Sequence, residues 1–387
     1  MKANDKLREY YRKDMPVEEI FEWLKLVYTT FNGVDSKEDV VDRRSAEIGT
    51  DEACADLPRS LPAVYGKRDS QTFGYHKNAM LPECKWPMYP MSNREFVFWF
   101  ENGSDDSMVI SRRLSFTSAQ QLREALVEKV PTRIELGAVY RFASNDKGSM
   151  VANVPVMREL VFDYDISDKK EYLLCCDGSS VCSKCWIFIR CAIQCTATIL
   201  SEFYGIHQPL VVFSGKKGVH IYATGYEPST YSESMRSHII DQLRSLSKLA
   251  SAKDLHESAT ATLCLPILGM ECHNYFTQFS SELLCSKFPT QTFLHSNSYA
   301  NDCALVGTKV KRLAKNSPIP DIIKFVLTTM CPAPDAAITT QMAHLVKMMW
   351  CVHPSTGKVC VPIPMDQLHS FDPANAPRIF SKNLRVE

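Results

Sequence analysis

The feature that most constrains this chain is a short apolar segment that ends in two carboxylates, Val161-Phe162-Asp163-Tyr164-Asp165. Val161 and Phe162 predict a β-strand, and side chains two residues apart in a strand point to the same face of its sheet. Asp163 and Asp165 are therefore neighbours, and each disfavours ionisation of the other. A hard divalent cation such as Mg²⁺ removes this repulsion. The motif predicts a metal site for phosphoryl or nucleotidyl transfer, with a polar turn at a strand end as the alternative.

The composition sets broad limits on function. The 387 residues can bury a large core in about one to three domains. Lys and Arg together number 44, as do Asp and Glu, so global charge gives no support to a nucleic-acid partner, which a local patch can still bind. The sequence has no run of 18 apolar residues and begins with a charged segment, so neither a transmembrane helix nor a secretory signal is expected. The 15 cysteines therefore indicate reduced thiols, some of them metal ligands, rather than a disulfide framework.

Periodicity along the chain predicts both helices and strands. A helical pattern covers 6–31, divided by Pro16, and residues 33–92, rich in Asp, Ser, Pro and Lys, predict a partly disordered insertion. Strands are expected at 95–100, 108–110, 134–142, 159–165, 210–214 and 219–223. Helices are expected at 118–130 with Ser118 as N-cap, at 186–204, at 231–252, through most of 253–330 and over Ala336–Trp350, before a hairpin around Thr356-Gly357.

Four cysteines lie within residues 175–185. Cys182 and Cys185 have the Cys-x2-Cys spacing that lets two sulfurs share one tetrahedral zinc, and the intervening Gly and Ser residues allow a turn that brings Cys175 and Cys176 round. Four thiolates would complete the coordination of the ion, which predicts a structural zinc rather than a catalytic one. A group of reduced thiols is the alternative, and an iron–sulfur cluster is disfavoured because its usual ligand spacings differ.

Two glycines bracket two lysines in Ser214-Gly215-Lys216-Lys217-Gly218-Val219-His220, called the lysine loop below. Glycines permit close approach of the backbone to phosphate oxygens, and the lysines and histidine supply donors. The segment predicts a triphosphate-binding loop, although it lacks the Gly-x4-Gly-Lys-Ser/Thr pattern of a Walker loop. A solvated hairpin tip is the alternative.

Three later polar residues carry little information by themselves. Asp335 follows two prolines and is typical of a helix cap, and Lys347 lies in the helix-like run, as on a solvated face. His353 precedes a proline and is typical of a loop. Their interpretation depends on the other motifs.

Taken together and in order, the motifs resemble the catalytic small subunit of eukaryotic DNA primase, of the archaeo-eukaryotic primase superfamily. Glu159-Leu160-Val161-Phe162-Asp163-Tyr164-Asp165 resembles the family's Glu-Leu-Val-Phe-Asp-x-Asp motif, and Gly137-Ala138-Val139-Tyr140 its Gly-Ala-Val-Tyr strand. The lysine loop is similar to Ser-Gly-Arg-Arg-Gly-Val-His, and the cysteine cluster to the family's zinc knuckle. Further similarity covers Tyr10-Tyr11-Arg12 with Trp23-Leu24, Arg94-Glu95-Phe96, Val352-His353-Pro354 and Phe371-Asp372-Pro373.

The resemblance implies an α+β (mixed α/β) fold, with a primase catalytic core of mixed β-sheets flanked by helices, a zinc knuckle and a small, mostly helical subdomain. The implied organisation is N-terminal helices at 1–32, an insertion at 33–92, core at 93–227 with the knuckle at 175–185, a helical subdomain at 228–330 and the rest of the core at 331–387. The insertion matches no part of the family pattern, and residues 228–330 show little similarity to it.

The resemblance also implies a role for each candidate residue. Asp163, Asp165 and Asp335 would bind two Mg²⁺ or Mn²⁺ ions, and Glu95 would be a further acidic residue of the catalytic site. The residues implied in nucleotide binding are Arg112, Ser214, Lys216, Lys217, His220, His344, Lys347 and His353. Those implied in binding one structural Zn²⁺ are Cys175, Cys176, Cys182 and Cys185. Two lysines replace the family's arginine pair, and because a lysine cannot form arginine's bidentate fork, the triphosphate would be held more loosely.

The implied activity is that of a DNA-directed RNA polymerase that starts short RNA primers de novo on single-stranded DNA from ribonucleoside triphosphates. The implied partners are a large primase subunit, in a heterodimer, and the DNA polymerase α complex. The implied compartment is the nucleus, and no membrane association is expected. The alternatives are a primase-polymerase of the same superfamily that adds deoxynucleotides, and a non-catalytic zinc module that binds nucleic acid.

Overall fold

The computed structural model describes residues 3–29, 90–101, 108–146, 153–207, 209–223, 231–249, 252–295, 319–331 and 333–380, together with a few positions between 302 and 309. The insertion predicted at 33–92 lies outside these ranges except for its last three residues. Among the described residues, no helix is both long enough and apolar enough to cross a bilayer.

Except for the last one, the helices follow the predicted pattern, and Pro16 separates the first two. Their bounds are α1 Ala3–Lys13, α2 Val17–Thr29, α3 Ala119–Lys129, α4 Trp186–Tyr204, α5 Glu233–Ser245, α6 Ala252–Glu257, α7 Ala259–Phe276, α8 Ser281–Lys287, α9 Asp321–Met330 and α10 Ala336–Thr340. Ser118 caps α3 as expected, because its side chain accepts a hydrogen bond from the Gln121 N–H. A short 3₁₀ helix, Ile166–Tyr172, follows the carboxylate motif directly.

The strands form two sheets. Their bounds are β1 Arg94–Glu101, β2 Met108–Leu114, β3 Arg133–Tyr140, β4 Pro155–Met157, β5 Leu160–Asp165, β6 Leu210–Phe213, β7 Gly218–Ala223, β8 Val346–Lys347 and β9 Pro362–Ile363. The first sheet has the order β2-β1-β3-β4, with β8 also paired to β3, and the second has the order β5-β7-β6-β9. Every strand pairing in the described part is antiparallel, so the fold is α+β, as predicted, with antiparallel rather than mixed sheets.

Alternate residues of β1 pack on opposite faces of the first sheet. Phe96 and Phe98 are fully buried, and their rings lie 5.2 and 5.9 Å from that of Phe116. The period-2 pattern of a strand therefore turns Glu95 and Trp99 to the other face. That face is directed towards the functional site.

Helix α4 covers the second sheet and is buried along most of its length. The ring of Trp186, at its first residue, packs at 5.8 Å against Phe213 of β6. The helix ends at Gly205, which adopts a left-handed φ of 67°. Arg190 of α4 donates at 2.8 Å to Glu271 of α7, which joins the helical segment to the core.

The predicted helix over Ala336–Trp350 is wrong beyond Thr340. The guanidinium of Arg158 donates to the carbonyls of Ile338 and Gln341 at 2.6 and 2.8 Å, so these groups are satisfied without continuing the helix. Val346 and Lys347 then pair with β3 as β8. Pairing with the free edge of β3 has thus replaced the helix that the local sequence pattern predicts.

The predicted hairpin around Thr356-Gly357 is present in reduced form. Val352 and Val359 make an isolated antiparallel bridge, and the N–H of Gly357 donates to the carbonyl of His353 at 2.8 Å. Gly357 has a φ of 67°, a conformation that favours glycine.

Candidate active site

The two sheets face each other across a cavity of about 560 Å³. This lies within the range of about 300–1,000 Å³ that is usual for small-molecule sites. The lining residues used below are Trp99, Arg112, Arg133, Glu135, Asp163, Asp165, Ser214, Lys216, Lys217, His220, Gln341, His344, Lys347 and His353. Every residue predicted to bind nucleotide is therefore in one cavity. Of the predicted catalytic residues, Glu95 and Asp335 do not line it.

The carboxylate pair ends strand β5, as the alternation predicts. Asp163 lies opposite His220 in the antiparallel register of β5 and β7, and its Oδ1 lies 3.8 Å from Nε2 of that histidine. Asp165 accepts a hydrogen bond from the Ser167 N–H at 2.8 Å. Its Oδ1 also lies 3.1 Å from the Lys217 ammonium. The pair is therefore held between the strand and the lysine loop.

Asp335 joins this pair from a distant part of the chain. Its N–H donates to the carbonyl oxygen of Asp163 at 2.9 Å, while its carboxylate accepts from the Ala337 N–H at 2.9 Å. It is thus the helix cap that its sequence context predicts, placed beside the strand that carries Asp163 and Asp165.

The three carboxylates create an excess of negative charge. Burial raises the pKa of Asp163 to about 7, and Asp165, Asp335 and Asp168 act in the same direction, opposed by Lys347. A divalent cation is the species that relieves such crowding, and carboxylate oxygens are its preferred ligands. The donor set therefore fits Mg²⁺ or Mn²⁺.

The lysine loop is shaped by a close contact at Gly215. A Cβ on this residue would lie 2.7 Å from Cβ of His353, and its φ is 85°, so glycine is required. Thr356 donates to the carbonyl of Gly215 at 2.7 Å, and Lys347 donates to that of Ser214 at 3.2 Å. Hydrogen bonds from residues 347 and 356 thus hold the backbone of the lysine loop, while Lys216 and Lys217 line the cavity.

Cations dominate this side of the cavity. Burial lowers the pKa of His220 to about 3, with Lys347 and Arg133 acting in the same direction. Burial likewise lowers the pKa of His353 to about 3, with contributions from Lys347, Lys216 and Arg133. Burial also lowers the pKa of His344. These imidazoles are neutral near pH 7 and act as hydrogen-bonding groups beside fixed positive charges.

Comparison with known proteins identifies a family to which the sequence is similar. A family model described as the DNA primase small subunit matches residues 162–364, more than half of the chain. The chain belongs to the DNA primase small subunit family. It is 28% identical to a DNA primase small subunit of Saccharomyces cerevisiae over 78% of this chain and 80% of that protein. A protein of the same name from Drosophila melanogaster is 26% identical, over 77% of each chain.

The similarity to primase small subunits extends to a second yeast. The protein of that name from Schizosaccharomyces pombe is 26% identical over 74% of this chain and 69% of its own. The matched range of the primase family model begins one residue before Asp163 and includes the lysine loop and Lys347. It leaves out Glu95 and Arg112.

Glu95 lies beneath the cavity of this primase-family chain rather than on its surface. Its side chain is fully buried and lies 3.2 Å from Nε of Arg112, whose own side chain is about half exposed at the cavity wall. The hydroxyl of Tyr140 also donates to it, at 3.2 Å. A Cβ on Gly137 would lie 2.5 Å from its carboxylate, which explains the glycine of the Gly-Ala-Val-Tyr strand. Glu95 is therefore placed to orient Arg112.

The residues that line the cavity but were absent from the predicted site residues include Trp99, Arg133, Glu135 and Gln341. Arg133 and Glu135 alternate along β3 and form an ion pair. The indole N–H of Trp99 donates to Glu135 at 2.6 Å. The alternation of polar residues in β3 was a usable signal, but only the pairing of β1, β3 and β8 brings them to the lysine loop.

The cysteine cluster is assembled in the described structure. The candidate ligand atoms of Cys175, Cys176, Cys182 and Cys185 all lie within 4.8 Å of one another. A tetrahedral zinc with Zn–S bonds of about 2.3 Å requires such convergence. The cluster thus fits a structural Zn²⁺, and its last cysteine is the N-cap residue of α4.

Proposed function

We propose that this chain synthesises RNA primers de novo on single-stranded DNA, as the catalytic subunit of a DNA primase. The observation that carries the proposal is the meeting, in one cavity, of a carboxylate pair and a cationic loop. Lys217 lies 3.1 Å from Asp165, so the place for a metal and the place for phosphates are contiguous. Nucleotidyl transfer needs both at the same reacting phosphate.

The triphosphate of the incoming nucleotide would lie on the lysine loop. Lys216, Lys217 and Lys347 supply positive charge, and neutral His353 supplies a hydrogen-bonding nitrogen. Fixed cations that are already in place stabilise charge on transferred phosphate without reorganisation. Lysines act here as point charges and not as bidentate forks.

Asp163, Asp165 and Asp335 would hold the divalent ions. When bound, a pair of such ions stabilises both the attacking and the leaving oxygen of an in-line displacement. The protein itself supplies the spacing of the carboxylates on β5, the buttress of Asp335 through its backbone hydrogen bond, and the contact of Lys217 with Asp165. Arg112, which pairs with Glu95 and lines the cavity, would contact the substrate.

As a primase subunit, the chain would also have protein partners, a zinc ion, a template and a cellular compartment. The small-subunit name of the relatives supports a heterodimer with a large primase subunit. Association through that subunit with DNA polymerase α, and a nuclear location, are further parts of the proposal. The cysteine cluster would hold one Zn²⁺ as a structural element. The single-stranded template would be bound through local basic and aromatic groups, because the net charge of the chain is zero.

The test is a divalent-metal-dependent primer-synthesis assay on homopolymeric single-stranded DNA, with ribonucleotides and deoxynucleotides compared, with and without a candidate large subunit. Asp163→Ala and Asp165→Ala should each lower activity by at least about 10²-fold, the scale of losing one transition-state electrostatic contact. Asp366→Ala, which removes an exposed carboxylate, is the control. More than about a tenth of activity in either site variant would contradict the proposal, and a preference for deoxynucleotides would favour a primase-polymerase.

A further inference from the structure

One wall of the cavity is not used by the proposed metal and triphosphate contacts. Trp99 and Arg133 face each other across β1 and β3, and the guanidinium carbon lies 5.2 Å from the centre of the indole ring. Glu135 contacts both, accepting from the indole N–H at 2.6 Å and pairing with the guanidinium. We call the two side chains the Trp99–Arg133 platform. Both line the cavity.

The strand register relates the platform to the lysine loop, where the phosphates would lie. Glu135 is the cross-strand partner of Lys347, which donates to the lysine loop at the carbonyl of Ser214. Trp99 and Lys347 are thus on the two strands that flank β3, offset by two residues along it. Neighbouring strands are spaced by about 4.8 Å and residues along a strand by about 3.3 Å. The nucleoside of a nucleotide whose phosphates lie on the loop spans a comparable distance.

Trp99 is the aromatic group best able to offer a surface to this space. Tyr164 also lines the cavity, but its ring is buried and its hydroxyl is bonded to Thr196 at 2.6 Å. Trp99 is only half-buried. The residues before and after it, Phe98 and Phe100, point to the opposite face of the sheet, where their rings pack on each other, so Trp99 takes no part in that aromatic packing.

We propose that the Trp99–Arg133 platform binds the base of the incoming nucleoside triphosphate by stacking. Bases stack on aromatic rings and on guanidinium planes, and such contacts tolerate any base because each has a π-face. An enzyme that copies a varied template needs a nucleotide contact of this kind. The inference rests on the proposed function, since it takes the triphosphate to lie on the lysine loop.

The test measures ligand binding without turnover, and in its main arms without DNA. The ligands are α,β-methylene ATP and inorganic tripolyphosphate, which lacks a base, each with Mg²⁺. Trp99→Ala should weaken binding of the nucleotide at least about fivefold, the lower end for one base–aromatic stack, and leave binding of tripolyphosphate unchanged. Trp99→Phe should retain most of the affinity. Phe100→Leu, on the same strand but the opposite face, should change neither.

The outcomes separate this inference from the proposed function. If wild type does not bind tripolyphosphate, or if Lys216→Ala leaves that binding intact, the triphosphate site itself is wrong. If tripolyphosphate binds as expected but Trp99→Ala keeps the wild-type ratio of the two affinities, the stacking proposal alone fails. It also fails if Trp99→Phe is as weak as Trp99→Ala, since the indole hydrogen bond to Glu135 would then be the cause. Weakened binding of oligodeoxythymidylate with unchanged nucleotide binding would assign the platform to the template instead.

A spectroscopic readout covers the case in which Trp99→Ala does not fold. The chain has five tryptophans, and stacking of a base quenches the emission of the one it contacts. The nucleotide should quench wild-type emission and tripolyphosphate should not. Trp99→Phe should lose that quenching, and quenching of unchanged size would overturn the proposal.

Discussion

The ionisation of Asp163 is affected by neighbouring groups of both signs of charge. On one side are Asp165 and Asp335, which oppose its ionisation, and on the other is Lys347, which favours it. Its neighbour His220 does not relieve the repulsion, because burial and nearby cations keep that imidazole neutral. In the protein without bound metal, the ionised form of Asp163 is therefore unfavourable, and a bound cation would stabilise it.

The charge on Asp163 makes stability depend on pH. Folding raises its pKa from an ordinary value of 3.8 to about 7, so the stabilisation is fully present below the ordinary pKa and is lost as pH rises through about 7. Without divalent ions, the unfolding free energy of wild type relative to that of Asp163→Asn should fall by at least about 1 kcal/mol between about pH 5 and pH 8, since one pKa unit corresponds to about 1.4 kcal/mol. The lowered pKa values of His220 and His353 act in the opposite direction below about pH 6.5, but they do so in both proteins.

Asp163→Asn should remove the Asp163 contribution to the pH dependence and be the more stable protein at about pH 8. Urea denaturation at both pH values, with chelator present, measures the effect. Asp366→Asn serves as a control and should follow wild type. Equal pH slopes for Asp163→Asn and wild type would show that Asp163 ionises normally.

The two lysines of the loop should differ in their kinetic roles. Lys216 lines the cavity, whereas Lys217 also contacts Asp165 and donates to Ser167 at 3.1 Å. Lys216→Ala should therefore raise KM for ribonucleotide about five- to tenfold with little change in kcat, the scale of an electrostatic contact of about 1 kcal/mol. Lys217→Ala should also lower kcat.

The kinetic comparison is made at low and high salt, because the contribution of exposed charge is screened. Restoring arginine at both positions should leave activity equal or higher, since its planar fork can hold two phosphate oxygens. Lys170→Ala, which removes an exposed charge nearby, is the control. Unchanged KM and kcat in both alanine variants would assign the triphosphate to other residues, with Arg112 the first to test.

At the scale of elements, the sequence predicted the helices and strands that have their own periodic pattern, and it did not predict those that form only by pairing with another part of the chain. Strand β5 and helix α4 were predicted almost to the residue, because an apolar period of 2 or 3.6 is a property of the segment itself. Strand β8 was predicted as helix, because two residues carry no period and their state depends on the edge of β3. Glu135 was missed for the same reason, since its part in the cavity follows from that pairing.

The cysteine cluster is an element that links two others. It leads directly into α4, and the hydroxyl of Tyr275 in α7 accepts from the Leu174 N–H at 2.8 Å. The same hydroxyl lies 4.0 Å from the sulfur of Cys185. Order in the cluster should therefore be transmitted to the packing of α4 against α7.

Removal of zinc should lower the stability of the protein more than it alters the rate of nucleotide addition. Elemental analysis of protein purified without chelator should find about one zinc per chain. Cys182→Ser should lower both the zinc content and Tm, whereas Cys285→Ser, at a half-buried free thiol outside the cluster, should lower neither. A zinc-free protein, or a Cys182→Ser variant that melts like wild type, would contradict the assignment.

At the scale of the whole molecule, segments far apart in the chain close the structure. The hydroxyl of Tyr10 in α1 donates to the carbonyl of Trp350 at 2.7 Å, and that of Tyr11 donates to the carbonyl of Pro131, also at 2.7 Å. The site itself combines β1, β3, β5 and the lysine loop with residues 335–353. Its geometry is thus a property of the assembled chain. For this reason the order of the motifs indicated the family, whereas no single motif indicated the cavity.

The positions of β8 and β9 have a consequence for how the protein is made. Both lie within residues 346–363, yet one completes the edge of β3 and the other that of β6. A growing polypeptide exposes its Asp pair and both open edges well before these strands leave the ribosome, and open edges are where neighbouring chains pair and aggregate. Newly made molecules should therefore depend on chaperones until late in translation. Nucleotide, which can bind only after the last strands dock, should favour completion of folding by mass action.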